Sequence, residues 1–228
     1  MVIAYLFGLV FGLGHLLSEK ICRKVSENRE FLISFIAGMS IAYLFLELFP
    51  LVFQEGKMIS EMVFLFMMIG FFVFFIFEKY IYKHSRTRLV VKEITVLHSI
   101  GFFLYHFVIG VVIVGLLKIG LEKALLFFIP TFLYSLVGGI SLNEIHYKVK
   151  EKWFSRLLLA LSSLLGVVVA KNFFISNAFN SLLLGFLAGA FTYIIVRDSV
   201  PKDKEGNLLA IAFGVVLYTF LIFLLWIL

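Results

Sequence analysis

The feature that most constrains this chain is a succession of long apolar stretches, separated by short polar segments. Within each stretch the apolar side chains occur all round a helix rather than on one face, as lipid-facing helices require. Of the 228 residues, 62% are hydrophobic, only 15% are charged and 29 are Phe. This composition excludes an ordinary soluble domain. The sequence therefore predicts an integral membrane protein.

Eight apolar stretches divide the chain and predict eight transmembrane α-helices. In order, they cover residues 2–17, 31–53, 59–82, 94–117, 124–147, 157–174, 181–196 and 208–228. The loops between them are short and none is of low complexity, so residues 1–228 are predicted to form one all-α, eight-helix transmembrane domain. The first stretch has no basic residue before its apolar part and no small-residue cleavage site after it. We interpret it as a retained helix and not as a signal peptide.

Basic residues are distributed unequally between the two sets of loops. Of the 20 Lys and Arg residues, the loops after the even-numbered stretches hold only four, namely Lys57, Lys118, Lys123 and Lys171. Cytoplasmic loops carry the excess of Lys and Arg in membrane proteins. Both termini are therefore predicted to lie outside. The net charge of +6 is interpreted as a signal of orientation, and no nucleic-acid partner is expected.

Several kinds of site are excluded by the residues present. The chain contains a single cysteine, Cys22, so neither an internal disulfide nor a multi-cysteine metal site is possible. No phosphate-binding Gly-rich loop, HExxH motif or Ser/His/Asp pattern is present at a convincing level. We therefore expect neither an enzyme nor a prosthetic group.

A polar cluster closes the fifth stretch, where Asn143, Glu144 and His146 stand within four positions. Such residues near hydrocarbon usually face the interior of a bundle, water or an ion. On a helix Asn143 and His146 share a face, and Glu144 is turned from Asn143 by the rotation of one residue about the helix axis. Glu144 and Lys148 are also spaced i, i+4, so a simple ion pair at the helix end is an equally open interpretation.

Two other ionisable residues lie inside apolar stretches. His106, in the middle of the fourth stretch, is either a metal ligand or an imidazole that bonds to a neighbouring backbone or hydroxyl group. Glu47 precedes Pro50, which is expected to end the second helix. Glu47 is either solvated there or part of an outward-facing cation entrance, because a carboxylate concentrates cations. His15 and His98, near the ends of their stretches, are interpreted as interfacial.

Pro130, in the fifth stretch, cannot supply a backbone N–H and frees a carbonyl group one turn before it. At membrane depth a freed carbonyl is tolerated only where protein or water covers it. Gly138 and Gly139, just before Asn143, weaken the helix as well. The fifth helix is therefore predicted to be internal and to line the path of the solute.

Several stretches resemble the ZIP family of divalent-metal transporters. The second runs from FIAGMS at 35–40 to ELFP at 47–50, which is similar to the family's small-residue start and its His-Leu-Leu-Pro ending, with Glu47 in the place of the histidine. The seventh reads LGFLAGAFTY at 184–193, followed by RDSVP at 197–201. It looks like the family's Gly-rich helix that ends in Asp-Leu-Leu-Pro-Glu. Its small residues also allow close approach of neighbouring backbones.

The fifth stretch matches the family less closely. The family has His-Glu-x-Pro followed by an acidic residue, whereas residues 143–148 read NEIHYK. Glu144 is kept, Asn143 replaces the histidine and His146 stands where proline is usual.

The fourth stretch can be aligned with the family in two registers. The family reads His-Asn-x-x-Asp/Glu-Gly, with another glycine nine positions after the histidine. We prefer His106, which has Gly115 nine positions on and requires the shorter insertion before the fifth-helix motif; Gly110 then occupies the place of the acid. The alternative is His98, which puts Phe102 there. Neither register supplies the carboxylate.

The resemblance implies a ZIP-like bundle in the cell membrane, a homodimer, and uptake of a divalent metal of the zinc or iron type into the cytoplasm. Its expected partners are the lipid bilayer and the transported ion. The predicted metal ligands are His106, Asn143, Glu144 and His146, with Glu47 at a possible entrance. Imidazole and carboxylate groups suit zinc and other borderline metals.

Two alternatives remain open. A ZIP-fold protein that has lost metal transport would carry another solute, sense metal or serve as a partner subunit, and the missing acids at Gly110 or Phe102 and at Lys148 favour it. An intramembrane enzyme would need an acid and a base facing one cavity. Glu144 and His146 point about 200° apart on a helix, which disfavours the enzyme.

Overall fold

A computed structural model of the chain describes residues 2–24, 29–84, 88–146, 153–199 and 206–227. Within these ranges the side chains of 18–24, 29, 81, 82, 84, 88–99, 137–146, 153–156, 198 and 199 lie outside the description. The described part is built from α-helices: α1 (Val2–Lys24), α2 (Arg29–Tyr43), α3 (Phe49–Met58), α4 (Met62–His84), α5 (Arg88–Ile119), α6 (Leu121–His146), α7 (Trp153–Asn172), α8 (Asn177–Ser199) and α9 (Leu208–Ile227).

The helices have the length and the surface of membrane helices. Five segments are long and apolar enough to span a bilayer: Glu30–Met58, Met62–Tyr80, Ile100–Ile119, Asn177–Arg197 and Leu208–Ile227. Large apolar side chains cover the outside of the bundle, and an exposed apolar surface of this extent requires a lipid environment; on α9 they include Leu209, Phe213 and Phe220. The protein is an all-helical, polytopic membrane protein, as the sequence predicts.

The eight predicted stretches all fall on helical segments. Two of them, Val2–Leu17 and Leu157–Asn172, are shorter apolar helices, at the lower limit for crossing a bilayer. Eight transmembrane crossings therefore stay a prediction, whereas eight helical segments at these places along the chain are confirmed.

The second segment does not end where the sequence predicts. A π-helical turn, Leu44–Leu48, joins α2 directly to α3, and the N–H of Phe49 donates to the carbonyl of Leu44. Pro50 stands in the first turn of α3, where its missing N–H costs little. The expectation that Pro50 ends the helix is wrong, because the π-turn restarts the helix immediately before the proline.

Three pairs of helices lie in backbone contact: α4 with α8, α2 with α9, and α5 with α7. Each helix of a pair contributes a glycine at which an added Cβ would overlap a backbone carbonyl oxygen of its partner. These glycines are Gly70 and Gly189, Gly38 and Gly214, and Gly110 and Gly166. Close approach at small residues is the usual way in which membrane helices associate. The close packing predicted for the Gly-rich seventh stretch is confirmed.

Helix α6 is internal, as Pro130 predicts. The proline stands inside the helix and frees the carbonyl of Leu126, one turn before it. The hydroxyl of Tyr218, on α9, donates to that carbonyl at 2.7 Å. A protein side chain thus replaces the hydrogen bond that the proline cannot make.

Contacts to distant elements hold the first and the last helix of the described chain. Near its start, Gly8 of α1 packs against Leu164 in the later half of α7. Near its end, Trp226 of α9 bonds to Glu47, which in turn pairs with Lys123 at the start of α6. That both termini share one side of the membrane stays a prediction.

We expect Gly70→Ala to lower the stability of the protein by about 1–3 kcal/mol, because the new methyl group would overlap the carbonyl of Phe186. The matched control is Gly101→Ala, where the nearest atoms to an added Cβ belong to the ring of Phe77 at 3.9 Å. Thermal unfolding in detergent measures both variants. Equal transition temperatures for the two would contradict this account of the α4–α8 contact.

Candidate functional site

A histidine is buried at the contact between α5 and α6. His106 is 3% exposed; its Nδ1 lies 2.9 Å from the carbonyl oxygen of Phe102, and its Nε2 lies 2.9 Å from Oγ of Ser135. A carbonyl oxygen can only accept, so Nδ1 carries the proton and donates. In the neutral ring Nε2 then holds a lone pair and accepts from the hydroxyl of Ser135. The backbone has fixed the tautomer of this imidazole.

A second histidine reaches the same place from α1. The ring centroids of His15 and His106 are 6.0 Å apart, and Nδ1 of His15 is buried. The neighbouring Gly14 lies against α6, where a Cβ would meet the ring of Phe132. One nitrogen of His15 thus faces the protein interior, and its location at the membrane interface stays a prediction.

Aromatic rings surround this pair of histidines. Phe11 of α1 lies edge-on to His106 with centroids 6.4 Å apart, and Phe102 and Tyr105 of α5 lie at 5.2 and 5.4 Å. Two imidazoles and the Ser135 hydroxyl therefore form a small polar centre inside an apolar wall. We refer to His15, His106 and Ser135 as the histidine centre.

The polar cluster Asn143, Glu144 and His146 lies on the same helix as Ser135, further along its axis. Its side chains are outside the described set, but α6 continues as a helix to His146. At 1.5 Å per residue, Asn143 stands about 12 Å beyond Ser135. The backbone does not bring His106, which contacts Ser135, to the level of the cluster. Metal ligation by the three cluster residues stays a prediction.

The antiparallel register of α5 and α6 favours the other histidine of α5. Since His106 faces Ser135, moving eight residues back along α5 and eight forward along α6 brings His98 to the level of Asn143. The side chain of His98 is also outside the described set. Since the side chains of His98 and of the cluster are outside the description, the choice of His106 as the fourth-helix ligand stays a prediction, with His98 as its alternative.

Gly110 cannot hold the missing acid of the His106 register. An added Cβ there would overlap the carbonyl oxygen of Ser163 on α7. The position belongs to the α5–α7 backbone contact and does not face the histidine centre. The spacing of His106 and Gly115 alone could not predict that position 110 faces α7 and not His106.

Glu47 lies at the π-turn and is buried, with 6% of its side chain exposed. One of its carboxylate oxygens pairs with Nζ of Lys123 at 2.8 Å, and the other accepts from the indole N–H of Trp226 at 2.7 Å. The extra residue of a π-turn rotates the residues after it by about 100° relative to an uninterrupted α-helix. The interpretation of Glu47 as solvated is wrong. A role in a cation entrance stays a prediction, which requires release of Lys123.

Polar contacts also fasten the ends of α4 and α8. Glu78 accepts from the hydroxyl of Tyr193 at 2.8 Å and pairs with Arg197 at 3.2 Å. At the opposite end of α8, the hydroxyl of Ser181 donates to the carboxylate of Glu55, which is on α3. These groups satisfy one another across helix ends, and we interpret them as structural.

Among the described residues, no group of three or more His, Cys, Asp and Glu side chains is placed to hold a metal ion. Comparison with known protein families and with curated proteins finds no match for this chain. The relation to ZIP transporters therefore rests on the sequence resemblance.

The Glu47–Lys123 pair is expected to respond asymmetrically to mutation. Lys123→Met would leave a buried carboxylate with one fewer charged partner and destabilise the protein by about 3 kcal/mol. Glu47→Gln should cost less, because the Lys123 side chain is 32% exposed and can turn into water. Chemical unfolding in detergent micelles checks the order.

The control for this prediction is the double variant Glu47→Gln with Lys123→Met. It should be more stable than Lys123→Met alone, since no unpaired carboxylate remains. If the double variant loses the sum of the two single effects, the side chains are not coupled.

Proposed function

We propose that this protein is a ZIP-type transporter that admits a divalent transition metal of the zinc or iron type to the cytoplasm. The observation that carries the proposal is the register of α5 and α6, set by the contact of His106 with Ser135 at 2.9 Å. Counted along the two helices from this contact, His98 would lie near the level of Asn143, next to Glu144, which supports His98 as the alternative to His106. An imidazole, an amide and a carboxylate would then converge from two neighbouring helices.

These groups suit the passage of a borderline cation. An ion entering hydrocarbon must exchange its water ligands for protein oxygen and nitrogen atoms, and zinc accepts imidazole and carboxylate. With Glu144 as its one carboxylate, the set would bind less tightly than a structural site. Weak binding permits release on the far side, as transport requires.

The topology that we propose has eight transmembrane helices and both termini outside, in the cell membrane. The excess of Lys and Arg in one set of loops supports this orientation. A homodimer is part of the proposal, on the basis of the family resemblance.

Glu144→Gln should reduce metal uptake by proteoliposomes at least about ten-fold, because it removes the negative charge but keeps the size of the side chain. His98→Ala should have a similar effect. His84→Ala, at the end of α4, is the control and should transport like the wild type. Normal uptake by the Glu144→Gln variant would refute the site.

The orientation can be tested with the single cysteine of the chain. Cys22 should react with a membrane-impermeant thiol reagent only from the cytoplasmic side, since it follows the first predicted span. A Cys22→Ser, Phe174→Cys variant should react only from outside, because Phe174 is 96% exposed between α7 and α8. Labelling of intact cells and of inverted vesicles gives the answer, and a reversed pattern would overturn the proposed orientation.

A second candidate function, a ZIP-fold protein without metal transport, is favoured by one observation. Gly110 is enclosed by the α5–α7 contact, so the carboxylate that the family places there cannot be present in that register. Such a protein would sense metal, carry another solute or serve as a partner subunit. Calorimetric titration of the purified protein with Zn²⁺ distinguishes the two, because absence of specific binding at micromolar metal favours the second candidate.

A further inference from the structure

We propose that Glu47, Lys123 and Trp226 form a gate, which closes one end of the bundle and opens when the ammonium group of Lys123 leaves the Glu47 carboxylate. The inference rests on the proposed function and deepens it, because it assigns the step that admits an ion to the interior. It concerns the regulation of access and not the ligation of metal. The state of the gate can therefore be measured without metal and without transport.

Glu47 is the common partner of two helices from other parts of the chain. From the π-turn between α2 and α3, one oxygen of its carboxylate pairs with Nζ of Lys123, in the first turn of α6, at 2.8 Å. The other oxygen accepts from the indole N–H of Trp226, near the end of α9, at 2.7 Å. One carboxylate thus links α6 and α9 to α2 at this end of the bundle.

Four aromatic rings meet one turn before Glu47 along α2. The ring centroid of Tyr43 lies 6.3 Å from that of Phe127, 6.5 Å from that of Phe191 and 6.4 Å from that of Tyr218. The rings come from α2, α6, α8 and α9, and all four side chains are buried. The hydroxyl groups of Tyr43 and Tyr218 lie within electrostatic range of the Glu47 carboxylate. The structure is therefore closed at the level directly next to the ion pair.

The exposure of the two charged groups shows which of them can leave. The side chain of Lys123 is 32% exposed, whereas that of Glu47 is 6% exposed. Lys123 also stands in the first turn of α6, where the positive end of the helix dipole disfavours a cation. The ammonium group can therefore turn into water and regain hydration, while the carboxylate stays in the protein. Opening is the departure of Lys123.

A simpler interpretation is that the ion pair only holds the helices together. A buried ion pair is poorly suited to that purpose, because apolar side chains of similar volume in the same place often give equal or greater stability. The carboxylate also stands in a π-turn, an irregular backbone that occurs frequently at functional sites. Both features favour a contact that has to break.

Ser40 provides a probe of the interior next to the aromatic layer. It lies three residues before Tyr43, on the same face of α2, and its side chain is buried. Among the described residues its hydroxyl has no hydrogen-bond partner, so a nearly isosteric cysteine breaks no bond there. Because Cys22 is the single cysteine of the chain, Ser40→Cys in a Cys22→Ser background supplies one thiol that reports on access to the interior.

The experiment measures how fast a charged methanethiosulfonate reagent modifies that thiol in the purified full chain in detergent. The reaction should be slow while Glu47 and Lys123 are paired. Lys123→Met and Glu47→Gln should each accelerate it at least about ten-fold, because loss of the pair shifts the population towards the open state. Lys123→Arg keeps the charge and should react as slowly as the parent. Glu47→Gln still offers an acceptor to Trp226, so it decides the question if Lys123→Met does not fold.

The matched control is Ser162→Cys in the same background. Ser162 is also fully buried, but it lies on α7 and bonds to the backbone of its own helix at Leu159. Its reaction should stay slow in the Lys123→Met and Glu47→Gln variants.

Two results would overturn the gate. One is an unchanged rate at Ser40→Cys in folded Glu47→Gln, which would leave the pair a purely structural contact. The other is an equal acceleration at Ser40→Cys and Ser162→Cys, which would mean a general loosening of the fold. Metal uptake by proteoliposomes is measured separately, so the gate can fail while the proposed function stands, and the reverse also holds.

Discussion

The fold depends on the direct approach of helix backbones at glycine. In lipid there is no hydrophobic force to drive one apolar helix against another, so helices associate through close packing. Gly70 and Gly189, Gly38 and Gly214, and Gly110 and Gly166 provide that approach on both members of three helix pairs. The pairs fix which of these helices are neighbours.

The polar groups show how irregular backbone is tolerated at membrane depth. Pro130 frees the carbonyl of Leu126, and Tyr218 satisfies it from another helix. Glu47 stands in the π-turn, and Lys123 and Trp226 satisfy both of its oxygens. Each departure from regular α-helix is thus matched by a side chain from a distant part of the sequence. The helices on either side remain in place because those distant groups are present.

The location of the helices could be predicted from the sequence because hydrocarbon length and backbone hydrogen bonding impose it locally. The internal position of α6 followed from Pro130, for the same reason. The burial of Glu47 could not be predicted, since it depends on a π-turn and on two partners, Lys123 and Trp226, distant in sequence. His15 and His106 come together from helices distant in the sequence, and no local spacing encodes their proximity.

The π-turn has a further consequence for how the protein sits in its bilayer. It joins α2 and α3 into one segment from Arg29 to Met58, about 43 Å long at the usual helical rise. The hydrocarbon layer is about 30 Å thick, and tilting within the common range does not absorb the whole difference. One or both ends of this segment therefore extend among the lipid head groups. The later part of the segment, α3, packs beside the first turns of α4 and α8. The hydroxyl of Ser181, on α8, donates to the carboxylate of Glu55, on α3.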